Sequence, residues 1–370
     1  MKGLVIWAQS DCRSMMGLYR ALMGMLNVPV VVVIRDYKAE GLRQKVGFRH
    51  EEFSNVNMTI IGEDYDKGIE ILNGHPGYNH LFGAYQNAPT YRRLICEVKR
   101  RGERVGIFSE SPCVMIWGLK GWLKENIYLP IVVKRTVKSV IDASDFVINL
   151  SGDGSLALQR IGWRPYQIIP FGYFPPPVIG SKVVRRMQNG DFHVLVTGIM
   201  TWHRAPDTVI KALCLLKQWN VPYRATFTQN GPMLSYLKEV AQKNNLPVDF
   251  KGFVHIEELI KLYETCSVYV AAGRREPWGM RLNDALQCGA PLVVSRGMGG
   301  VQLVDEYGCG ESFDADDYLD LACKLRRLIE DEGRYQLVSR NAVSAAEQIA
   351  SESKTKALIK LISSRFEGWF

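Results

Sequence analysis

The 370-residue sequence has no apolar run near the ~18 residues that a membrane-spanning helix requires. It has no Cys-x-x-Cys pair, which argues against a zinc ribbon or a dithiol redox site. Its eight cysteines are scattered, several in apolar stretches such as IKALCLLK, the pattern of free thiols in a reducing compartment. No low-complexity segment occurs, and no repeat with a period of about 20–50 residues, so a solenoid is not expected. The net charge of +8 comes without a zinc finger, an RNA-binding aromatic motif or a Lys/Arg-rich block, leaving nucleic acid the weakest anionic partner. A phospholipid surface or a phosphorylated metabolite fits better. The opening MKGLVIWAQSDCRS has too short an apolar stretch for a signal peptide and continues into a first strand. A cytoplasmic location is expected, either free or peripheral on the inner face of the cytoplasmic membrane.

What is present is strand–helix alternation. LVIWA, VPVVVVI, MTIIG, HLFGAY, RVGIFS, FVINL and YQIIPF read as strands separated by helix-length segments. VPVVVVI is continuously apolar, as a strand covered on both faces should be. Such alternation implies crossover connections and a parallel sheet. YFPPPVIG followed by polar, basic SKVVRRMQNGD breaks the series, because consecutive prolines neither pair in a sheet nor extend a helix. A second series follows, with strands HVLVTGI, YRATFTQ, VDFKGF, SVYVAAG and PLVVSR. The expected fold class is α/β, with two Rossmann-like parallel-sheet lobes facing a cleft. The expected domains are 1–175, a linker at 176–190, 191–350, and a C-terminal helix in 351–370 that crosses back to the first lobe. Charge is uneven: residues 1–175 hold 22 Lys and Arg against 16 Asp and Glu.

The chemistry concentrates in AAGRREPWGMRLNDALQCGAPLVVSRGMGGVQ. A strand ends at Gly273, a loop carries Glu276, and a helix is expected to begin near Trp278 or Gly279 and stop at Gly289. That places Glu276 at the helix start and Asp284 two turns on, roughly 12 Å away at ~1.5 Å per residue. Amides around Trp278, Gly279 and Met280 would face an anion between the two carboxylates. Glu276-Pro277-Trp278-Gly279, Asn283-Asp284-Ala285 and Cys288-Gly289-Ala290-Pro291 resemble the donor motif of retaining glycosyltransferases of family 4, which have the GT-B fold. The resemblance implies that Glu276 contacts the hydroxyls of the transferred sugar and Asp284 the ribose. Asp284 is one methylene shorter than the family's Glu.

The resemblance extends beyond this segment. Gly299-Gly300-Val301 matches the family's Gly-Gly-Val turn, whose tight glycines would let the backbone approach the donor, and which Gln302 then breaks. In VTGIMTWHRAP, Gly198 ends the strand and Arg204 falls where the family has a phosphate-binding Lys, while Ile199 occupies its Arg position. Arg274 or Arg275 could supply the missing cation. TQNGPM, with Asn230, and VDFKGFV, with Gly252 and Phe253, match the family's turns near the donor and its base.

The first lobe departs further. Arg13, at a helix start, could meet donor phosphates. In the segment RVGIFSES, Ser109 and Glu110 lie at a strand end, where α/β ligands bind. Glu110 is expected to contact the acceptor hydroxyl, with strand-end capping as the rival role. His80 and Asn87 complete the expected acceptor side. Two Asp-x-Asp strings, Asp64-Tyr65-Asp66 and Asp314-Ala315-Asp316, are not read as metal sites; the second opens a helix, where acidic residues favour the start. The segment 120–140 mixes Trp122, Leu123, Tyr128 and Ile131 with five Lys and Arg; it suits an anionic membrane surface or an amphipathic helix pair packed on the sheet.

What the resemblance implies is a retaining, metal-independent hexosyltransferase without a cofactor. Its donor would be a nucleotide-diphosphate sugar, UDP-linked in preference to GDP-linked. The basic first lobe and the 120–140 stretch, and not the resemblance, favour a saccharide or lipid-linked saccharide of bacterial surface polysaccharide or lipopolysaccharide as the acceptor. A nucleotide-sugar epimerase and a silent nucleotide-sugar-binding protein are the alternatives.

Overall fold

A computed structural model describes residues 1–10, 13–36, 58–83, 85–112, 118–152, 154–176 and 192–370. The chain divides into two units, Met1–Pro176 with Ser351–Phe370, and Pro177–Ala350.

The first unit is built on seven strands: β1 (Leu4–Ser10), β2 (Val30–Asp36), β3 (Met58–Ile60), β4 (Asn79–Gly83), β5 (Val105–Ser109), β6 (Phe146–Asn149) and β7 (Ile168–Pro170). They form one parallel sheet in the order β3-β2-β1-β4-β5-β6-β7. Alternate side chains of β1 serve opposite faces. Val5 and Trp7 join one core layer, whereas Leu4, Ile6 and Ala8 join the other. Both faces are covered, which explains why β2 is apolar without alternation.

The tail belongs to this unit. The helix Ser351–Arg365 packs on the helix Arg13–Met25. Gly17 is required at that contact, because a Cβ there would collide with Ser351 Oγ and the Phe174 carbonyl. Trp369 is fully buried and donates from Nε1 to Asp145 Oδ2 at 2.8 Å. Asn79 Nδ2 donates to the carbonyls of Gly368 and Trp369.

The second unit carries β8 (His193–Thr197), β9 (Arg224–Thr228), β10 (Val248–Gly252), β11 (Val268–Ala271), β12 (Leu292–Ser295) and β13 (Gly310–Phe313). Its parallel order is β10-β9-β8-β11-β12-β13. In both sheets the strand order reverses once, between β1 and β4 and between β8 and β11. Ligands of open α/β sheets bind beyond the carboxyl ends of the strands at such a reversal. Among the described residues no helix is long and apolar enough to cross a membrane.

Candidate functional site

The reversal between β8 and β11 is where the charged residues converge. Gly198 follows β8 with φ +126°, a conformation open to glycine. A Cβ at that position would collide with Arg204 Nη1, so the guanidinium lies directly over the Gly198 backbone. Arg204 closes the short turn Trp202–Arg204, ahead of the helix Pro206–Gln218. Its Nη2 lies 3.8 Å from Glu276 Oε1, and both side chains keep partial access to solvent. Glu276 comes from the loop after β11, so the pair joins the two strand ends flanking the reversal.

The loop bearing Glu276 is fastened to the next turn. Glu276 N donates to the Gly297 carbonyl at 3.1 Å, Gly299 N to the Glu276 carbonyl at 3.0 Å, and Gly300 N to the Trp278 carbonyl at 2.9 Å. This corrects the expected role of Gly299 and Gly300. Their amides are spent on the loop, and a Cβ on Gly300 would sit 2.6 Å from the Trp278 carbonyl oxygen. The pair therefore buttresses Glu276. The Trp278 ring is buried and donates to Asn283 Oδ1 at 2.7 Å, anchoring the loop from below. Gly279, at φ +100°, makes the corner, and the helix runs Met280–Gln287. Glu276 thus precedes the helix, so the distance inferred from continuous helical rise does not apply.

The arginines separate into different roles. Arg274 is buried and fully engaged. It holds Asp207 with two bonds of 3.0 and 2.7 Å, lies 2.6 Å from Asp316 Oδ1, donates to the Trp202 carbonyl and stacks over the Trp202 ring. With two carboxylates around its guanidinium, Arg274 is a structural clamp, which corrects its expected place among the donor-binding residues. Arg275, beside it, is partly exposed.

Arg281 joins this neighbourhood without having been among the residues expected from sequence. Its Nη1 is buried with no hydrogen-bond partner. Nearby, Thr197 Oγ1 lies 3.2 Å from both the Tyr263 and the Tyr269 hydroxyls. Burial raises the pKa of Tyr269. The Arg281 and Arg204 charges act against that rise and the Glu276 charge adds to it. Tyr263 is pushed well above its usual value, chiefly by burial, with Arg281 opposing and Asp284 adding. These groups therefore share one electrostatic neighbourhood. Asp284 is almost closed to solvent on its helix. An arginine in the first turn of an otherwise buried helix was the available signal for Arg281.

The remaining strand ends extend the site away from β11. Asn230 follows β9, and its Oδ1 would lie 3.3 Å from a Cβ on Gly252, which ends β10 at φ +66°. Phe253 is exposed and meets His255 edge-on.

In the first unit, Ser109 ends β5 and Glu110 follows it. Ser109 Oγ donates to the Glu110 carbonyl at 2.8 Å, and the Tyr173 hydroxyl donates to Glu110 Oε1 at 2.9 Å. His80 is a correction. It is fully buried at the amino end of β4, the edge opposite Ser109 and Glu110. Trp7 Nε1 donates to His80 Nδ1 at 3.1 Å, so that nitrogen carries no proton. Burial, and then the charges of His75 and Arg101, lower the His80 pKa to about 3. The ring is neutral, and its 3.2 Å approach to Glu103 is not an ion pair. Arg13 opens a helix and Asn87 closes a short turn, but their side chains lie outside the described residues.

The Asp-x-Asp strings are accounted for locally. Asp64 caps its helix by accepting from the Asp66 and Lys67 amides. Asp314 lies 3.6 Å from Arg296, and Asp316 pairs with Arg274. Among the described residues no group of His, Cys, Asp and Glu gathers as a metal site.

Residues 182–345 match the family model for Glycosyl transferases group 1. Over 158 residues the chain is 29% identical to a GDP-mannose-dependent α-(1-6)-phosphatidylinositol dimannoside mannosyltransferase of Mycobacterium tuberculosis, covering 41% of each chain. Over 239 residues it is 25% identical to the mannosylfructose-phosphate synthase of Agrobacterium fabrum, covering 61% of this chain and 52% of that one. The match thus spans 41% to 52% of the length of these curated relatives. Among solved structures, Anabaena HepE in complex with UDP and glucose superposes with a TM-score of 0.67 at 15% identity, covering 98% of this chain and 100% of that one. The lipopolysaccharide outer core galactosyltransferase WaaB, in its apo form, superposes with a TM-score of 0.70 at 12% identity, with the same coverage. The two parallel-sheet units have the fold of GT-B glycosyltransferases.

Proposed function

We propose that this glycosyltransferase of group 1 moves a hexose, with retention and without a metal ion, from a nucleotide-diphosphate sugar to a saccharide or lipid-linked saccharide. The observation that carries this reading is the Arg204–Glu276 pair, set 3.8 Å apart over the Gly198 backbone at the β8/β11 reversal. A cation suited to a leaving diphosphate stands beside a carboxylate suited to sugar hydroxyls.

Arg204, Arg275 and Arg281 would stabilise charge as it builds on the departing diphosphate, which is electrostatic catalysis by prepositioned groups. Arg281 replaces the cation absent at Ile199. Its orphan Nη1 is a buried donor awaiting an acceptor. Glu276 would orient the transferred sugar, and Asp284 the ribose. Asn230, Gly252 and Phe253 would frame the base. The bond from the anomeric carbon to the diphosphate breaks, and the acceptor oxygen bonds on the same face while its proton passes to the leaving phosphate oxygen. No enzymic nucleophile is assigned. Ser109 and Glu110 would meet the acceptor.

The relatives support both nucleotides. The mannosyltransferase is named for GDP-mannose, and HepE binds UDP. WaaB's action on lipopolysaccharide supports a bacterial surface saccharide as the acceptor. A thermal-shift panel of UDP-, GDP- and ADP-sugars identifies the donor, since a bound ligand raises the melting temperature by mass action. With that donor, Glu276→Ala should lower kcat/KM for transfer by at least about 100-fold, roughly 3 kcal/mol of lost transition-state stabilisation. Transfer within a few-fold of wild type would sink the assignment.

A further inference from the structure

Between β5 and β6 the first unit presents an apolar surface that the other described residues of that unit leave exposed. Three helical segments, Gly118–Leu123, Lys124–Val133 and Lys134–Ala143, follow one another without a break, the middle one wider in its turns and containing Pro130. Leu119, Trp122, Leu123, Ile127, Tyr128, Ile131 and Val132 are each between 40 and 73% exposed. Within Lys124–Val133 only Leu129 is buried. An amphipathic helix packed on the sheet would turn such residues inward. Here Val137, Val140 and Ile141 of the following segment make the core contact, and the apolar residues before them face out. Leu156 on the helix Ser155–Arg160 is exposed as well, and that helix is tied to this one by Arg160 Nη1 and Glu125 Oε1 at 3.2 Å. Apolar side chains gathered this densely mark an interaction surface, unlike the single exposed leucines of ordinary proteins.

The charges name the partner. Lys120, Lys124, Lys134, Arg135 and Lys138 interleave with the apolar residues. The acids between 119 and 143 are Glu125, which Arg160 holds, and Asp142, which Lys138 holds, so Lys120, Lys124, Lys134 and Arg135 carry the excess positive charge. We propose that this face docks on a bilayer containing anionic lipid, with Trp122, Tyr128 and the aliphatic side chains entering the headgroup region and the cations meeting lipid phosphates. Lysine and arginine stems can lie along the apolar layer while their charges stay in water. A second copy of the chain is a poorer occupant. A two-fold contact would set this patch against itself, cation facing cation, with no free carboxylate on either side to answer.

The test is flotation of the full-length protein with vesicles of phosphatidylcholine alone and of phosphatidylcholine with phosphatidylglycerol. No nucleotide is added, so the result is independent of the donor reading. The wild type should float with the anionic vesicles, much less with the neutral ones, and less again at high salt. Ile127→Ser/Ile131→Ser should reduce the floated fraction at least about tenfold, and Lys134→Glu/Arg135→Glu similarly, with melting temperatures held near wild type because all four side chains are exposed. Equal recovery with both vesicle types, or unchanged flotation of both variants, would overturn the proposal. So would a wild-type dimer in light scattering that Ile127→Ser/Ile131→Ser converts to monomer.

Discussion

Arg274 and Asp207 meet side-on, Nη1 3.0 Å from Oδ1 and Nη2 2.7 Å from Oδ2, out of solvent, with the guanidinium stacked on the Trp202 ring. The planar fork matches the carboxylate, and a lysine could make only one of the two bonds. Arg274→Ala would leave Asp207 buried without its partner, a loss of about 3–5 kcal/mol. Asp316, half exposed, adds little to that figure. Thermal unfolding should show a large drop for Arg274→Ala and a smaller one for Arg274→Lys. A melting temperature unchanged by Arg274→Ala, with nucleotide binding lost, would return the residue to the ligand.

Arg281 should behave in the opposite way. Its Nη1 is already unsatisfied, so Arg281→Met should leave the unliganded protein as stable as wild type. A charge-assisted bond of ~1.5–3 kcal/mol to the donor's phosphates corresponds to roughly 10–100-fold in affinity. Calorimetry should show that loss for the cognate nucleoside diphosphate and none for the nucleoside. Equal losses for both would mean that Arg281 shapes the pocket without meeting phosphate.

His80 predicts an acid-sensitive term in stability. Its folded pKa of about 3 lies below the ordinary value of 6.5, so the unfolded chain takes up the proton first. The stability that a neutral His80 contributes is complete above about pH 6.5 and falls as the pH drops toward 3, by at most ~1.4 kcal/mol per pH unit. His80→Gln has no titrating group. The difference in urea-unfolding free energy between wild type and this variant should therefore shrink as the pH is lowered through that window. A difference constant with pH would contradict the buried, neutral ring.

Trp369, second from the end of the chain, is fully buried. Trp369→Ala should cost ~3–5 kcal/mol, the range for emptying a core aromatic site, and it also leaves Asp145 without its indole donor. Trp369→Phe should recover most of the packing but not the hydrogen bond. Urea unfolding of the two variants would separate the contributions.

Much of the architecture was legible because buried parallel strands are written as Val- and Ile-rich runs: VPVVVVI became β2 and PLVVSR became β12. The edge strand β13 was not expected. It is short, begins at a glycine and is spelled GESF, so nothing in its composition separates it from a loop. At the site, the family resemblance pointed separately to Glu276, Gly198 and Arg204, which lie together in the structure. It could not tell which arginine was already neutralised, because Asp207 and Asp316 are remote from Arg274 in sequence. Nor could it show that His80 sits at the wrong edge of its sheet, since an isolated histidine carries no sign of which end of a strand it occupies. The buttressing task of Gly299 and Gly300 was not legible either, because in sequence a glycine pair looks the same whether it approaches a ligand or a neighbouring loop.

The helix Ser351–Arg365 and Trp369 complete a core whose other members lie before Pro176. The second unit is therefore an insertion within the first, and that sets an order for biosynthesis. As the ribosome works from one end to the other, the later-made segment 192–350 has its whole sheet available at once. The earlier-made segment must wait for residues 351–370 before its interior can close. Until then the strip along the helix Arg13–Met25 stays open to water, and this nascent surface is the one a chaperone would be expected to hold.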